Sequence, residues 1–424
     1  MKIFRYPERK EWKKLLLRPV IDTQSIDELV RKVIQDIKDR GDRALAEYTV
    51  KFDQVNLHNF KVSEKEISEA ENLVDARLKQ SIELASDNIR KFHLAQKSAP
   101  VEVETMEGVK CWQKAVPIEK IGLYIPGGTA PLFSTVLMLA IPAKIAGCKE
   151  IILCSPPGRD SKIHPAILYA AKTAGVTAIY RVGGAQAIAS MAYGTETIPA
   201  VLKIMGPGNQ FVTAAKQLVS RDRVAIDMPA GPSEVAVLAD ETSNPAFIAS
   251  DLLAQAEHGN DSQVLLISTS ENMILKSKNE LKKQLNDLPR KQFASVSLSH
   301  SKAFLVSDYR IMMDLVNEYS PEHLIISTSN ADELAEKVIN AGSVFIGEYT
   351  PESAGDYASG TNHTLPTNGY ASSYSGVNLD TFQKKITYQK ISREGLQKIG
   401  PAIETMAEAE ELIAHKRAVS IRIQ

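Results

Sequence analysis

A carboxamide and an imidazole three residues apart, Gln255 and His258, close a stretch that reads Asp251-Leu-Leu-Ala-Gln255-Ala-Glu257-His258-Gly259. On a helix this spacing puts both side chains on one face, one turn apart, where a carboxamide oxygen and an imidazole nitrogen can grip one metal ion. Taken alone, such a pair more often marks an ordinary polar helix end, and its weight comes from residues further along the chain. Downstream stand Pro321-Glu322-His323, Gly355-Asp356, His363 and His415, so four of the chain's eight histidines fall in polar, loop-flanked stretches of the C-terminal half. Carboxylates and imidazoles are the usual general acids, general bases and oxygen or nitrogen ligands. Adjacent residues on an extended segment point in opposite directions, so Glu322 and His323 would serve different atoms or one bulky substrate. Each group also has a plainer account. Glu322, His323 and His363 suit a solvated loop, Asp356 a turn, and His415, beside Lys416-Arg417, a cation at a helix C-terminus. His58, His93, His164 and His300 have no neighbours that suggest chemistry.

Three glycine-rich pieces form a second set: Tyr124-Ile-Pro126-Gly127-Gly128, Gly183-Gly184-Ala-Gln186 and Gly206-Pro-Gly208-Asn209. Each comes after a strand-like segment, where backbone amides can approach a phosphate and lead into a helix N-terminus. Phe211 stands where the dinucleotide fingerprint needs its third glycine, and tight turns account for the same glycines. No glycine-rich loop carries the lysine–serine pair that ATP sites use.

The elements that must carry these groups alternate in type. Asn244-Pro245 reads as an N-cap followed by proline at the first helical position, and opens a helix stopping at Gly259. Upstream, Ser25-x-x-Glu28 and Ser63-x-x-Glu66 are capping boxes. The first helix is predicted to stop at Gly41, the second to run to about Lys97. From residue 150 the pattern is strand, helix, strand, helix: 150–155, 165–174, 177–182, a helix opened by Gly183-Gly184, then 203–205 and another helix. It restarts with strands at 235–238, 264–267, 303–306, 324–326 and 344–346. This periodicity predicts an α/β fold with two Rossmann-like parallel-sheet domains facing each other, a helical N-terminal region and an extended C-terminal tail. The division expected is 1–22 as an arm, 23–122 with 233–375 as the first domain, 123–232 as the second, and 376–424 as the tail. Two such domains make their interface the natural place for a site. Residues 347–375 lack periodicity, as a functional loop does. Gly400-Pro401 reads as a break before a last helix from 402 to about 417.

Composition narrows the class. With 424 residues, 44% hydrophobic and 24% charged, the chain is an ordinary globular protein of several domains. A net charge of -1 gives no support to a nucleic-acid or anionic-membrane surface. Three cysteines, Cys111, Cys148 and Cys154, make no disulfide framework or zinc ribbon, and the last two fit buried strand positions. The stretch from Thr135 to Cys148 is too short to span a bilayer, and no signal-peptide core precedes it, so a reduced cytoplasm is expected.

Together these stretches resemble the histidinol dehydrogenase family. The resemblance rests on Gly122-Leu-Tyr-Ile-Pro-Gly-Gly, Val182-Gly-Gly-Ala-Gln-Ala-Ile-Ala, Gly206-Pro-Gly-Asn and Asp227-Met-Pro-Ala-Gly-Pro-Ser-Glu-Val. It continues in Ser250-Asp-Leu-Leu-Ala-Gln-Ala-Glu-His-Gly, Pro321-Glu-His-Leu, Glu352-Ser-Ala-Gly-Asp-Tyr-Ala-Ser-Gly-Thr-Asn-His and Ala414-His-Lys, all in the family's order. Asn260 departs from a position where proline is common. The resemblance implies zinc ligands Gln255, His258, Asp356 and His415, an acid/base pair Glu322 and His323, and substrate contacts from Ser233, His363 and Glu410 besides the zinc ligands and His323. It implies NAD contacts from Tyr124, Gln186 and Asn209, one zinc per subunit, and a homodimer with shared sites. The activity implied is the four-electron oxidation of L-histidinol to L-histidine through histidinal with two NAD, the last step of histidine biosynthesis. The rival readings are a zinc hydrolase with Glu322 as base and a non-catalytic, metal-stabilised binding protein.

Overall fold

Long apolar runs with no polar alternation need cover on both faces, and the chain builds two parallel sheets from them. A computed structural model describes residues 1–18, 24–127, 130–222, 224–228 and 231–423. The larger sheet has six parallel strands in the order Lys2–Arg5, Lys302–Leu305, Gln263–Ser268, Glu234–Ala239, His323–Ser327, Ser343–Ile346. The smaller has five, in the order Ala178–Arg181, Glu150–Ser155, Lys120–Tyr124, Lys203–Met205, Ala225–Ile226. Setting aside the first edge strand, both sheets start in the middle, run outward, then cross back to the other side. This is the doubly wound pattern expected from the sequence.

Side chains alternate between two cores in each sheet, as the two-residue strand period requires. Val235 and Val237 join Ile248, Leu252 and Phe345 on one face of the larger sheet, while Ala236 and Leu238 join Trp12, Phe304 and Tyr319 on the other. In the smaller sheet Ile151 and Leu153 pack with helix Phe133–Ala146, and Ile152 and Cys154 with helix Gly184–Tyr193. Cys148 and Cys154 are buried and free, as their positions predict.

The first hundred residues depart from the expected division. The Lys2–Arg5 strand is not a separate arm but an edge strand of the six-stranded sheet, paired with Lys302–Leu305. Helices Gln24–Tyr48, Glu64–Leu73 and Ala76–Ala95 do not cover that sheet; their stripes, including Val30, Val33 and Ile37 or Ile82 and Ile89, enter the two cores of the five-stranded sheet.

Smaller corrections have local causes. The Ser25 box falls at a helix that begins at Gln24, and residues 19–23 lie outside the described residues. The first helix stops at Gly41 as expected: its backbone is non-helical there (φ 50, ψ -130), and a second helix follows directly within the range Gln24–Tyr48. The predicted 64–97 helix is two, because Asp75 caps a new start by accepting from the Leu78 N–H. Residues 101–117 form a hairpin that pairs with Gln383–Ile391 into a three-stranded antiparallel sheet, an element absent from the expected order. Gly400-Pro401 does not break the tail: helix Arg393–Ala409 runs through it, and the turn comes at Glu411 (φ 61), before helix Ile413–Ile423. Gly400 serves close packing instead, since a Cβ there would lie 3.1 Å from Val419 Cγ1.

A buried carboxylate and imidazole centre, and a cleft beside it

Helix Pro245–Ala256 forms where expected, with the Asn244 side chain accepting from the Ala246 N–H and Pro245 at the first position. It ends one turn early, so Gln255 lies in its last turn and His258 just beyond, tied back by its N–H to the Gln255 carbonyl (3.3 Å). Glu322 immediately precedes and His323 opens the interior strand His323–Ser327, and Asp356 sits on the short helix Glu352–Tyr357 inside the aperiodic 347–375 stretch. All of these converge at the N-terminal edge of the six-stranded sheet, opposite the edge where open α/β sheets usually bind ligands.

The centre is dense in unpaired polar atoms. The Gln255 amide Nε2 donates to Glu322 Oε2 at 3.2 Å, and the residue is 1% exposed. The Glu234 N–H donates to the same Glu322 oxygen at 2.8 Å. His323 Nδ1 donates to the Glu234 carbonyl (3.3 Å), and its Nε2 faces Asp356 Oδ1 at 3.6 Å. Donor atoms of His258, Glu352 and Asp356 all lie within 4.8 Å of one another. His363 Nδ1 bonds the Asp356 carbonyl (2.9 Å), and its Nε2 reaches Thr135 Oγ1 (3.1 Å) on helix Phe133–Ala146 of the other sheet's unit. The neighbouring Asn362 donates to the Met138 carbonyl of that helix (2.6 Å), so this loop joins the two α/β units. Ser233 immediately precedes the Glu234 strand, its carbonyl accepting from the Gln263 N–H (3.1 Å).

Burial and charge pull the titrations apart. Burial pushes the Glu322 carboxyl up to about 8, and pushes Glu352 well above the usual carboxylate range. Burial alone would lower His323, but the carboxylates of Glu352, Glu322 and Asp356 outweigh it and raise the imidazole to about 10. Burial works against the Asp356 carboxylate, but the nearby His323 imidazole holds it low. His258 keeps an exposed surface, yet the protein crowded around it lowers its imidazole.

A divalent cation fits this arrangement. Gln255 Oε1, both Glu352 oxygens and His323 Nε2 are buried without a hydrogen-bond partner, and such atoms are costly unless something satisfies them. Oxygen and nitrogen donors from a carboxamide, an imidazole and carboxylates suit zinc. Glu352 is absent from the sequence-derived set, although a signal was present: it lies four residues before Asp356, the helical spacing that places both on one face. Glu410 and His415 are not brought to this centre within one chain. Both are exposed on the tail, where the His415 N–H returns to the Leu412 carbonyl.

Tyr124, Gln186 and Asn209 come together elsewhere, lining a cleft of about 970 Å³ at the C-terminal edge of the five-stranded sheet. Tyr124 is buried, its hydroxyl accepting from the Gly184 N–H (3.1 Å), and burial pushes its pKa up to about 12. Gln186 Nε2 donates to Asp53 Oδ2 (3.4 Å), while its Oε1 and the Ser155 hydroxyl, both facing the cleft, are buried and unpartnered. Asn209 caps helix Gln210–Ser220. The turn before it needs glycine at 206, where φ is 123 and a Cβ would lie 2.0 Å from the Tyr124 carbonyl. No residue of the buried centre lines this cleft, but the loop before helix Phe133–Ala146 does, and that helix carries the Thr135 contact to His363.

Fold and site thus define a class: a two-unit α/β protein with a buried carboxylate–imidazole centre, whose unpartnered donor atoms suit a cation, and a separate cleft. A sequence model of histidinol dehydrogenase matches residues 16–423. The histidinol dehydrogenase of Bacteroides thetaiotaomicron is 60% identical over 423 residues, spanning 100% of this chain and 99% of that one. That of Escherichia coli K12 is 51% identical over 417 residues, spanning 98% and 95%. The crystal structure of histidinol dehydrogenase from Elizabethkingia anophelis superposes with a TM-score of 0.98 at 54% identity, covering 100% of this chain and 98% of that one. The chain belongs to the histidinol dehydrogenase family, a family of oxidoreductases.

Proposed function

We propose that the protein oxidises L-histidinol to L-histidine by way of histidinal, removing four electrons with two NAD in turn and one zinc per subunit, as the last step of histidine biosynthesis in the cytoplasm. The observation that carries this reading is the convergence of Gln255, His258 and Asp356 on the buried Glu322–His323 pair.

Gln255 through its free Oε1, His258 and Asp356 would hold the metal, with His415 of the partner subunit as fourth ligand. When bound, zinc supplies a redox-silent Lewis acid that fixes the substrate's polar groups. Tyr124, Gln186 and Asn209 would hold NAD in their cleft, where it would supply the hydride acceptor for both oxidations. The chain's own residues move the protons. His323 Nδ1 is committed to the Glu234 carbonyl, which leaves Nε2 to exchange the alcohol proton. With a cation held by the neighbouring carboxylates, the negative charge that raises the imidazole would be offset, freeing Nε2 to accept that proton in the first oxidation. Glu322 Oε2 is held by two N–H donors, leaving Oε1 to take a proton from the water that adds to the aldehyde. The second oxidation then acts on the hydrated aldehyde. Ser233 and His363, with Glu410 of the partner subunit, would contact the substrate.

A homodimer is supported by apolar side chains left on the tail: Met406 and Ile421 are 66% and 68% exposed. Mixing metal-loaded protein, histidinol and NAD should generate NADH absorbance. Turnover of a different bond without NAD would point to a hydrolase, and no turnover with metal-dependent stability alone to a binding protein; either result ends this reading.

A further inference from the structure

The backbone of a single residue, Glu234, holds both members of the acid/base pair. Its N–H donates to Glu322 Oε2 (2.8 Å) and its carbonyl accepts from His323 Nδ1 (3.3 Å). Its side chain points the other way, into an ion pair with Arg18. Arg18 Nε donates to Oε1 at 2.5 Å and Nη2 to Oε2 at 2.9 Å, with the side chains 16% and 2% exposed. Arg18 Nη2 also donates to the Tyr319 carbonyl (2.7 Å), and the guanidinium stacks 4.1 Å from the Tyr319 ring centroid. The Asn368 N–H adds a further bond to Glu234 Oε1 (2.8 Å).

A buried ion pair gives little net stability over a well-packed apolar pair, since both charges lose their water. What it does give is geometry. A planar fork bonded to both carboxylate oxygens, stacked on a ring and tied to a carbonyl, leaves Glu234 almost no freedom. Glu234 is the first residue of its strand, where pairing alone would let the backbone fray. The rest of the Arg18 segment is fastened along the same sheet edge: Lys302 Nζ donates to the Leu15 and Leu17 carbonyls, and Gln263 Nε2 to that of Leu17. The N-terminal segment therefore straps the starts of neighbouring strands, with Arg18 gripping Glu234.

We infer that Arg18 and Glu234 are positioning residues for the reaction, their ion pair fixing the residue-234 backbone so that it aims the Glu322 carboxylate and sets the His323 tautomer. The inference rests on the acid/base reading of Glu322 and His323. A loose fit of a few tenths of an ångström there is enough to slow proton transfer, and misplacement near 1 Å costs about 100-fold.

The test is steady-state kinetics of the zinc-loaded enzyme on Arg18→Ala and Arg18→Lys, with Glu322→Gln and His323→Asn in parallel. Arg18→Ala should lower kcat roughly 10- to 100-fold, with KM for histidinol within about threefold and zinc content unchanged. Free guanidinium ion, at concentrations too low to unfold the protein, should restore part of kcat in Arg18→Ala and none in Arg18→Lys, which keeps the charge without the fork. A purely structural pair would lower the melting temperature without the kcat–KM split or the rescue, and that outcome overturns the inference. Should Arg18→Ala fail to fold, Arg18→Lys decides: a kcat within about twofold of the parent overturns it, a larger fall with unchanged zinc supports it. If Glu322→Gln and His323→Asn themselves retain full turnover, the acid/base reading fails first; if they lose it while both Arg18 variants are normal, only the present inference fails.

Discussion

Gln255 joins the two halves of the centre: its amide Nε2 donates to Glu322 Oε2 at 3.2 Å, and its buried carbonyl Oε1 is left without a partner. The hydrogen bond orients the amide and leaves its carbonyl oxygen free to take a ligand. Gln255→Met keeps the volume and removes both functions. It should weaken zinc binding by about 10- to 100-fold, the usual scale for losing an oriented ligand or its support. Competition against a chelator of known affinity measures it. Unchanged affinity would remove Gln255 from the ligand set.

Glu322 and His323 divide the labour in the proposed mechanism, because only the second oxidation needs an added water. Glu322→Gln should therefore spare alcohol oxidation more than aldehyde oxidation. His323→Asn should hurt the alcohol step more, by roughly 10²- to 10⁴-fold. Feeding histidinal directly to each variant separates the half-reactions. Equal losses in both steps for both variants would sink the division.

The strands of both sheets are legible in sequence because burial on two faces leaves them as unbroken apolar runs between turn residues; Glu150–Ser155 and Gln263–Ser268 are examples. Asn244 and Ser63 are legible as helix caps for an equally local reason. What sequence hides is choice of partner. Nothing local tells Val30 and Ile82 which sheet to cover, and the helices carrying them cover the five-stranded one. The hairpin strand Val101–Met106 alternates Val-Glu-Val-Glu, yet Val101 and Val103 remain 59% and 49% exposed, so the alternation has no buried face in this chain to explain it. Glu234 escapes notice because its contribution to the centre runs through backbone atoms, which carry no sequence signal.

Metal removal should stop turnover and leave the fold. The four apolar cores contain none of Gln255, His258, Glu322, His323 or Asp356, so their packing does not depend on the ion. Chelation should leave far-UV circular dichroism essentially unchanged; a collapse of helical signal would contradict this. Zinc should also leave in acid, as imidazole ligands protonate around their reference pKa of about 6.5. Zinc content that persists to about pH 4 would argue against histidine ligation.

Asp53 gives stability a pH dependence away from the metal. Burial pushes its carboxyl up to about 6, against an opposing bond from Gln186. A carboxyl raised on folding binds its proton more tightly in the native state. Its effect on stability is therefore absent below the unfolded pKa and becomes a penalty as pH rises from about 4 to about 6, constant thereafter. Asp53→Asn removes the penalty. Discounted for partial exposure, it should stabilise the protein by about 1–2 kcal/mol at pH 7.5 and by almost nothing near pH 4. Melting temperatures of variant and parent at both pH values provide the check, and a gain that is larger in acid would reverse the sign and refute it.

His415 stands exposed on helix Ile413–Ile423, with no described hydrogen bond or ion pair to the centre. Its helix packs back on Arg393–Ala409, and the strand before that helix pairs with the 109–117 strand. Apolar side chains left exposed on this assembly, Ile386, Met406, Leu412, Ile413 and Ile421 among them, give it a face that a second copy can cover. On the proposed reading each tail delivers His415 to the partner's centre, in a symmetric dimer. His258→Ala and His415→Ala homodimers should each be inactive. In a mixed dimer made from one of each, one site carries both defects and the other carries none. Random exchange between equal amounts of the two should then restore about a quarter of all sites. If His415 served its own chain instead, every site would keep one defect and no activity would return. Absence of recovery, with exchange proven by tagged subunits, would end the shared-site reading and require the tail to fold back onto its own centre.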